Sequence, residues 1–174
     1  PFSSGSILPS TVKTVKKGAA GEAGELRGNF DLTEELGELY ANTTGGIFGT
    51  LAPGEFAERL GEAMPVAAAD DVHTGPATIL SNIQGDEVAE YEIEILQVVE
   101  NAEDGRDLVL SVTDPELLAA TGGIVQGMSG SPILQDGKFV GAVTHVLLND
   151  PSKGYGILME TMLAAGDLSE KPVA

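Results

Sequence analysis

The 174-residue sequence contains no cysteine and no tryptophan. Without thiols, disulfides and thiolate metal sites are excluded, and the redox state of the compartment leaves no mark on the composition. Without tryptophan, one common stacking group is missing. Cations are scarce: nine Lys and Arg stand against 27 Asp and Glu, a formal net charge of −18. Such a chain repels a phosphate backbone and an anionic membrane surface, so neither nucleic acid nor lipid headgroups are expected partners. Basic segments of other proteins are favoured instead. Only Lys13, Lys16 and Lys17 lie near one another. On a strand, 13 and 17 share a face and 16 does not. The three read either as a patch for acidic substrates or as edge charges that discourage strand pairing. No run of 18 apolar residues occurs, so no membrane-spanning helix is expected. No signal peptide pattern is present, and the sequence starts at Pro1. The expectation is a processed or trimmed piece of a longer protein.

What is present is an ordinary globular composition, 42% hydrophobic and 21% charged, enough for a core in one domain or two small packed halves. The pattern is many short strands separated by glycine-rich turns. Ile7 to Val15 reads as a strand, Gly18 to Gly28 as a loop, and Leu36 to Leu51 as a strand interrupted at its glycines. Phe56 to Met64 reads as a short helix and Gly75 to Ile83 as a strand. Over 88–98, Glu90, Glu92 and Glu94 alternate with Tyr91, Ile93 and Ile95, a strand with one wet face. Leu108 to Thr113 is a further strand. Asp114-Pro115-Glu116 starts a helix that Gly122-Gly123 ends. Ile133 to Val140 is a hairpin on Asp136-Gly137, a pair suited to positive φ, with Val140 to Leu148 as its return strand. Gly154 to Met159 reads as a last strand and Glu160 to Ala165 as a short helix. Many strands with few helices predict an all-β barrel or sandwich.

The chemistry concentrates in GGIVQGMSGSPILQDG at 122–137. Glycines around a serine let the backbone turn tightly, so that Ser129 Oγ projects while the N–H groups of Gly127 and Ser129 converge on one spot. That spot suits the oxyanion of a tetrahedral intermediate. The alternative is an ordinary Gly/Ser/Pro loop. The hairpin that follows favours a site, because it supplies a rigid platform. A serine hydroxyl still needs a base, and the sequence holds two histidines.

The run GGIVQGMSGSPILQDGKFVGAVTHVLLNDPSKGYGI closely resembles the end of the SpoIVB peptidases, the stage IV sporulation protein B serine peptidases of spore-forming bacteria. STVKTVKKG at 10–18, NTTGGIFGTL at 42–51, GPATIL at 75–80 and TDPELLAATGG at 113–123 match as well. The resemblance implies a chymotrypsin-like double β-barrel with a few short helices and the site between its halves. It implies a serine endopeptidase that uses no cofactor, is exported from the forespore to the space between two membranes, and cuts a membrane-bound sporulation regulator and itself. By resemblance Ser129 matches the nucleophile and Asp114 an aspartate treated as a triad member. The family histidine belongs to a Gly-His segment upstream of the part matching Ser10-Thr11-Val12. The expectation is therefore a peptidase domain over 1–174 that lacks this segment, the amino-terminal anchor and the PDZ domain. The base would come from outside the chain, and the chain alone would be inactive. The competing reading is a pseudopeptidase or binding module that holds a partner strand.

Three other positions carry alternatives. Asp114 precedes a proline at a helix start, where its carboxylate suits an N-cap as well as a triad. Thr144-His145-Val146 fall on the return strand that, in chymotrypsin-like folds, binds substrate by strand addition. His145 reads also as a strand histidine bonded to a neighbour, or as the base. His73 follows Asp70-Asp71. This is a solvated loop rather than a metal site, which needs three or four converging ligands.

Overall fold

A computed structural model describes residues 3–54, 58, 60–99, 102 and 104–166. Among them are strands β1 (Gly5–Ile7), β2 (Ser10–Lys16), β3 (Glu25–Phe30), β4 (Gly37–Thr43), β5 (Gly46–Leu51), β6 (Gly75–Gln84), β7 (Glu87–Val98), β8 (Leu108–Val112), β9 (Pro132–Gln135), β10 (Lys138–Val146) and β11 (Lys153–Leu158). Helices α1 (Pro115–Thr121) and α2 (Met159–Ala165) are a few turns at most.

Strands β6–β7–β8 and β9–β10–β11 form two antiparallel meanders. They join edge to edge, β8 on β11 and β6 on β9, and close a six-stranded barrel. Closure leaves no free edge over the paired residues and turns one face of every strand inward. The alternation in β7 obeys this rule: Tyr91, Ile93 and Ile95 are buried and Glu90, Glu92 and Glu94 are exposed. Ile79, Leu108, Leu110 and Ile133 fill the interior with at most 1% of their surface exposed. Burying such a side chain contributes roughly 1.5–3 kcal/mol, so the barrel carries the stability.

The amino-terminal half supplies five strands in two small sheets, β1–β4–β5 and the ribbon β2–β3. None of its large apolar side chains is fully buried among the described residues 3–54, and the buried hydrophobic cluster starts only at Ala67. The ribbon docks on the barrel at both edges. Val12 exchanges two backbone hydrogen bonds with Gly85 in the β6–β7 turn, of 2.8 and 2.9 Å. On the other edge Leu26 N–H donates to Gln126 O (2.8 Å) and Gln126 N–H to Gly24 O (3.0 Å). The all-β class holds, and a closed barrel with few short helices fits the chymotrypsin-like expectation.

Three local readings need correction. Gly18 to Gly28 is not all loop: from Glu25 it forms β3, because partners on β2 and at Gln126 supply hydrogen bonds that no local pattern announces. Leu36 to Leu51 is a hairpin of β4 and β5 rather than one interrupted strand, since Gly46 adopts φ 139° and the Thr43 hydroxyl accepts from Gly45 N–H in the turn. The ribbon's register shifts between Val12 and Thr14, so simple alternation does not assign faces to the lysines. Lys13, Lys16 and Lys17 are all exposed, and Lys16 pairs with Glu22 at 2.7 Å. The helix expected over 56–64 lies partly outside the described residues, and Leu60 to Met64 carry no regular structure.

Candidate active site

The serine turn is set up by the end of α1. Asp114 caps this helix with one carboxylate oxygen that accepts from Glu116 and Leu117 N–H, both at 2.9 Å, while Glu92 N–H reaches the other oxygen at 3.3 Å. At the far end Gly122 takes φ 76° and Gly123 φ 130°, and the buried Thr121 hydroxyl accepts from Gly123 N–H at 3.1 Å. Ile124 N–H then donates to Pro151 O at 2.8 Å. The chain is thereby steered under the ribbon to Gln126.

Gly127 follows at φ 98°, a conformation that L side chains rarely adopt. Met128 turns inward and is 1% exposed, a plug in the barrel core. Two consecutive turns close on it, Met128 N–H to Val125 O (3.1 Å) and Ser131 N–H to Met128 O (3.0 Å). With Met128 driven in, its neighbours Gly127 and Ser129 face out. The turn is also stitched to β10: Gly130 N–H donates to Val143 O (2.8 Å) and Val143 N–H to Ser131 O (2.9 Å). A register shift between Val143 and His145 makes Thr144 an extra residue in its strand. Its carbonyl accepts from Ser129 Oγ at 2.9 Å. The N–H groups of Gly127 and Ser129 donate to no partner among the described residues.

Ser129 opens into a groove of about 940 Å³. The groove runs between the ribbon, from Ser10 to Val12 and Glu25 to Gly28, and Leu80 to Asn82 of the barrel. The fold thus brings Ser129, Gly127 and Thr144 together, with His145 and Val146 next along β10. His145 is exposed, opposite Tyr155 in the strand register, and is not among the groove's lining residues. Asp114 does not line the groove either. Beyond Ala142, β10 pairs with β11 on one side and, among the described residues, with no strand on the other.

His73 is elsewhere, beside the β9–β10 turn. Its Nδ1 bonds Thr74 O at 3.0 Å and its Nε2 bonds Asp136 Oδ2 at 2.9 Å. Asp71 is committed to Lys138 at 2.7 Å. Among the described residues no group of three or more His, Asp or Glu gathers to hold a metal ion. The Thr74 carbonyl, and after it Asp136, raise the His73 pKa above its ordinary 6.5. A proton bound more tightly in the folded state stabilises it fully below the unfolded pKa, and this contribution fades as pH rises through the folded one. His73→Ala is therefore expected to lower the urea midpoint more at about pH 5.5 than at about pH 8.5. An equal loss at both would show that the imidazolium contributes nothing.

Sequence reasoning missed Met128 as the plug, Thr144 O as the partner of Ser129, and β3 as a wall of the groove. Only the odd methionine between two glycine-rich steps signalled any of these in advance. Among the described residues no helix is long and apolar enough to cross a membrane. No curated protein and no solved structure matches the chain. The family model described as SpoIVB peptidase S55 matches residues 1–163. With a match over almost the whole sequence, the chain belongs to the SpoIVB peptidase S55 family, and at family level it is a serine peptidase of the SpoIVB type that acts on protein substrates.

Proposed function

We propose that the chain is the serine endopeptidase domain in which Ser129 Oγ attacks the scissile carbonyl and forms an acyl-enzyme. The observation that carries this reading is an exposed Ser129 beside two uncommitted amides, those of Gly127 and Ser129, at the mouth of a groove. Those amides hold the oxyanion. Before attack the hydroxyl leaves the Thr144 carbonyl and turns to the base. Neither histidine lines the groove, so the base is supplied from outside these 174 residues. In this reading the base belongs to a Gly-His segment upstream of Ser10, supported by the family resemblance and by Ser10 to Val12 lining the groove. The chain alone is expected not to hydrolyse peptides. One arm of the substrate adds as a strand to Thr144-His145-Val146, where β10 has an open side. In this reading the substrate is a membrane-bound regulator of sporulation, cut after export to the space between two membranes; the family resemblance supports it. The test is labelling of the full-length gene product with a fluorophosphonate, against a Ser129→Ala control.

A second reading, a peptide-binding module without catalysis, has one observation in its favour: the Ser129 hydroxyl is spent on Thr144 O. Failure of the full-length gene product to label would favour it.

We assign Asp114 to the helix cap, since three amides already reach its carboxylate. Asparagine caps about as well as aspartate, and alanine costs about 1 kcal/mol. Asp114→Asn is expected to keep stability within a few tenths of a kcal/mol and kcat/KM within about threefold. A triad acid instead loses about 10⁴ in rate on this change. Peptide kinetics on the full-length gene product separate the two roles.

A further inference from the structure

The groove that starts at Ser129 is bounded by large apolar side chains that the fold leaves uncovered. Phe30, at the end of β3, is 68% exposed, and Val88, at the start of β7, is 63% exposed. Leu80, on β6, stands half-buried in the same wall. Several polar side chains along the groove, by contrast, are already paired. Arg27 pairs with Glu25 at 2.7 Å, Ser131 Oγ donates to Ser81 Oγ at 3.3 Å, and Asn82 Nδ2 donates to Gly85 O at 2.9 Å. A ligand gains little from polar groups already paired, whereas uncovered apolar surface gains from any apolar side chain laid on it.

The position of the groove says which ligand. Ser129 lies between the open side of β10, which it touches through Thr144 O, and the groove. A peptide whose scissile carbonyl sits at Ser129 extends both ways. One arm follows β10, and the other has the groove as its path.

We propose that this groove is a specificity subsite that takes a large apolar side chain, of leucine or phenylalanine type, from the substrate on the side of the scissile bond away from β10, held by Phe30, Leu80 and Val88. This rests on the peptidase reading above and deepens it. Discrimination comes from apolar burial alone, so it favours size and apolarity over any one residue type.

The test uses the full-length gene product and peptides that differ only at that flanking residue, leucine or serine. The wild type is expected to prefer leucine by at least about tenfold in kcat/KM. Phe30→Ser combined with Val88→Ser is expected to bring this ratio below about threefold. Val88→Thr, nearly isosteric and at an exposed position, is expected to lower the ratio by about threefold even if the double variant does not fold. Leu163→Ser, an exposed apolar change on α2, is expected to keep the wild-type ratio. No preference in the wild type, or an unchanged ratio in the groove variants, overturns the subsite. Fluorophosphonate labelling of Ser129 in the same samples shows whether the peptidase reading still stands. If the wild type neither labels nor cleaves, binding of the leucine peptide, read by fluorescence anisotropy, decides the groove. A loss of about tenfold in the groove variants supports it, and equal affinity overturns it.

Discussion

Replacing Ser129 by alanine in the full-length gene product is expected to reduce peptide hydrolysis by about 10⁴-fold or more and to abolish fluorophosphonate labelling. The size follows from the role: without the hydroxyl no acyl-enzyme forms, and only binding and the two amides are left to act on water. Stability should barely move. Ser129 is exposed, and the substitution removes one hydrogen bond to Thr144 O while leaving the Met128 plug in place. The expected change is about 1 kcal/mol or less. Rate, labelling and urea midpoint are to be measured on the same preparation. A variant that keeps its fold and half the wild-type rate would remove Ser129 from the mechanism.

The largest loss of stability is expected from Gly123→Ala. A methyl group at Gly123 would lie 2.0 Å from Pro151 O and 2.7 Å from Ser152 N, both backbone atoms that cannot swing aside. That same carbonyl is committed to Ile124 N–H at 2.8 Å. The φ of 130° adds strain for any side chain. Backbone strain of this kind costs about 1–3 kcal/mol, and overpacking costs a similar amount, so a loss of roughly 2–5 kcal/mol is expected. The damage has a direction. Moving residues 123 and 124 drags the path to Gln126, Gly127 and Ser129, so labelling at Ser129 should fall even where most of the chain remains folded. Urea denaturation beside labelling rate checks both. Gly137→Ala is the control: it has φ 73° but nothing within 4 Å of the added methyl group, so strain acts there without a clash.

Much of the site's local framework was legible because turn chemistry acts over a few residues. Asp114 before Pro115 announced a cap, and the cap exists with Glu116 and Leu117 as donors. Asp136-Gly137 announced a tight hairpin, and both residues have positive φ. The triple alternation around Glu92 announced one wet face on β7, and barrel closure requires it. What stayed hidden joins residues far apart in the chain. β3 is held by β2 and by Gln126, about a hundred residues away. Thr144 accepts from Ser129 because of a register shift in β10, which depends on how β11 lies beside it.

By itself the sequence determined that the chain is strand-rich, acidic and free of thiol chemistry, and that a glycine-flanked serine sits between a capped helix and a rigid hairpin. Hydrophobic period, turn residues and charge carry these properties, and each acts locally. Only the tertiary structure decided that Met128 is inside and Ser129 outside, that two amides beside it are left uncommitted, and that an apolar groove leads away from it. Those features arise where the ribbon, the barrel and the serine turn meet. Their hydrogen bonds and contacts exist only once barrel closure has brought distant strands within bonding distance.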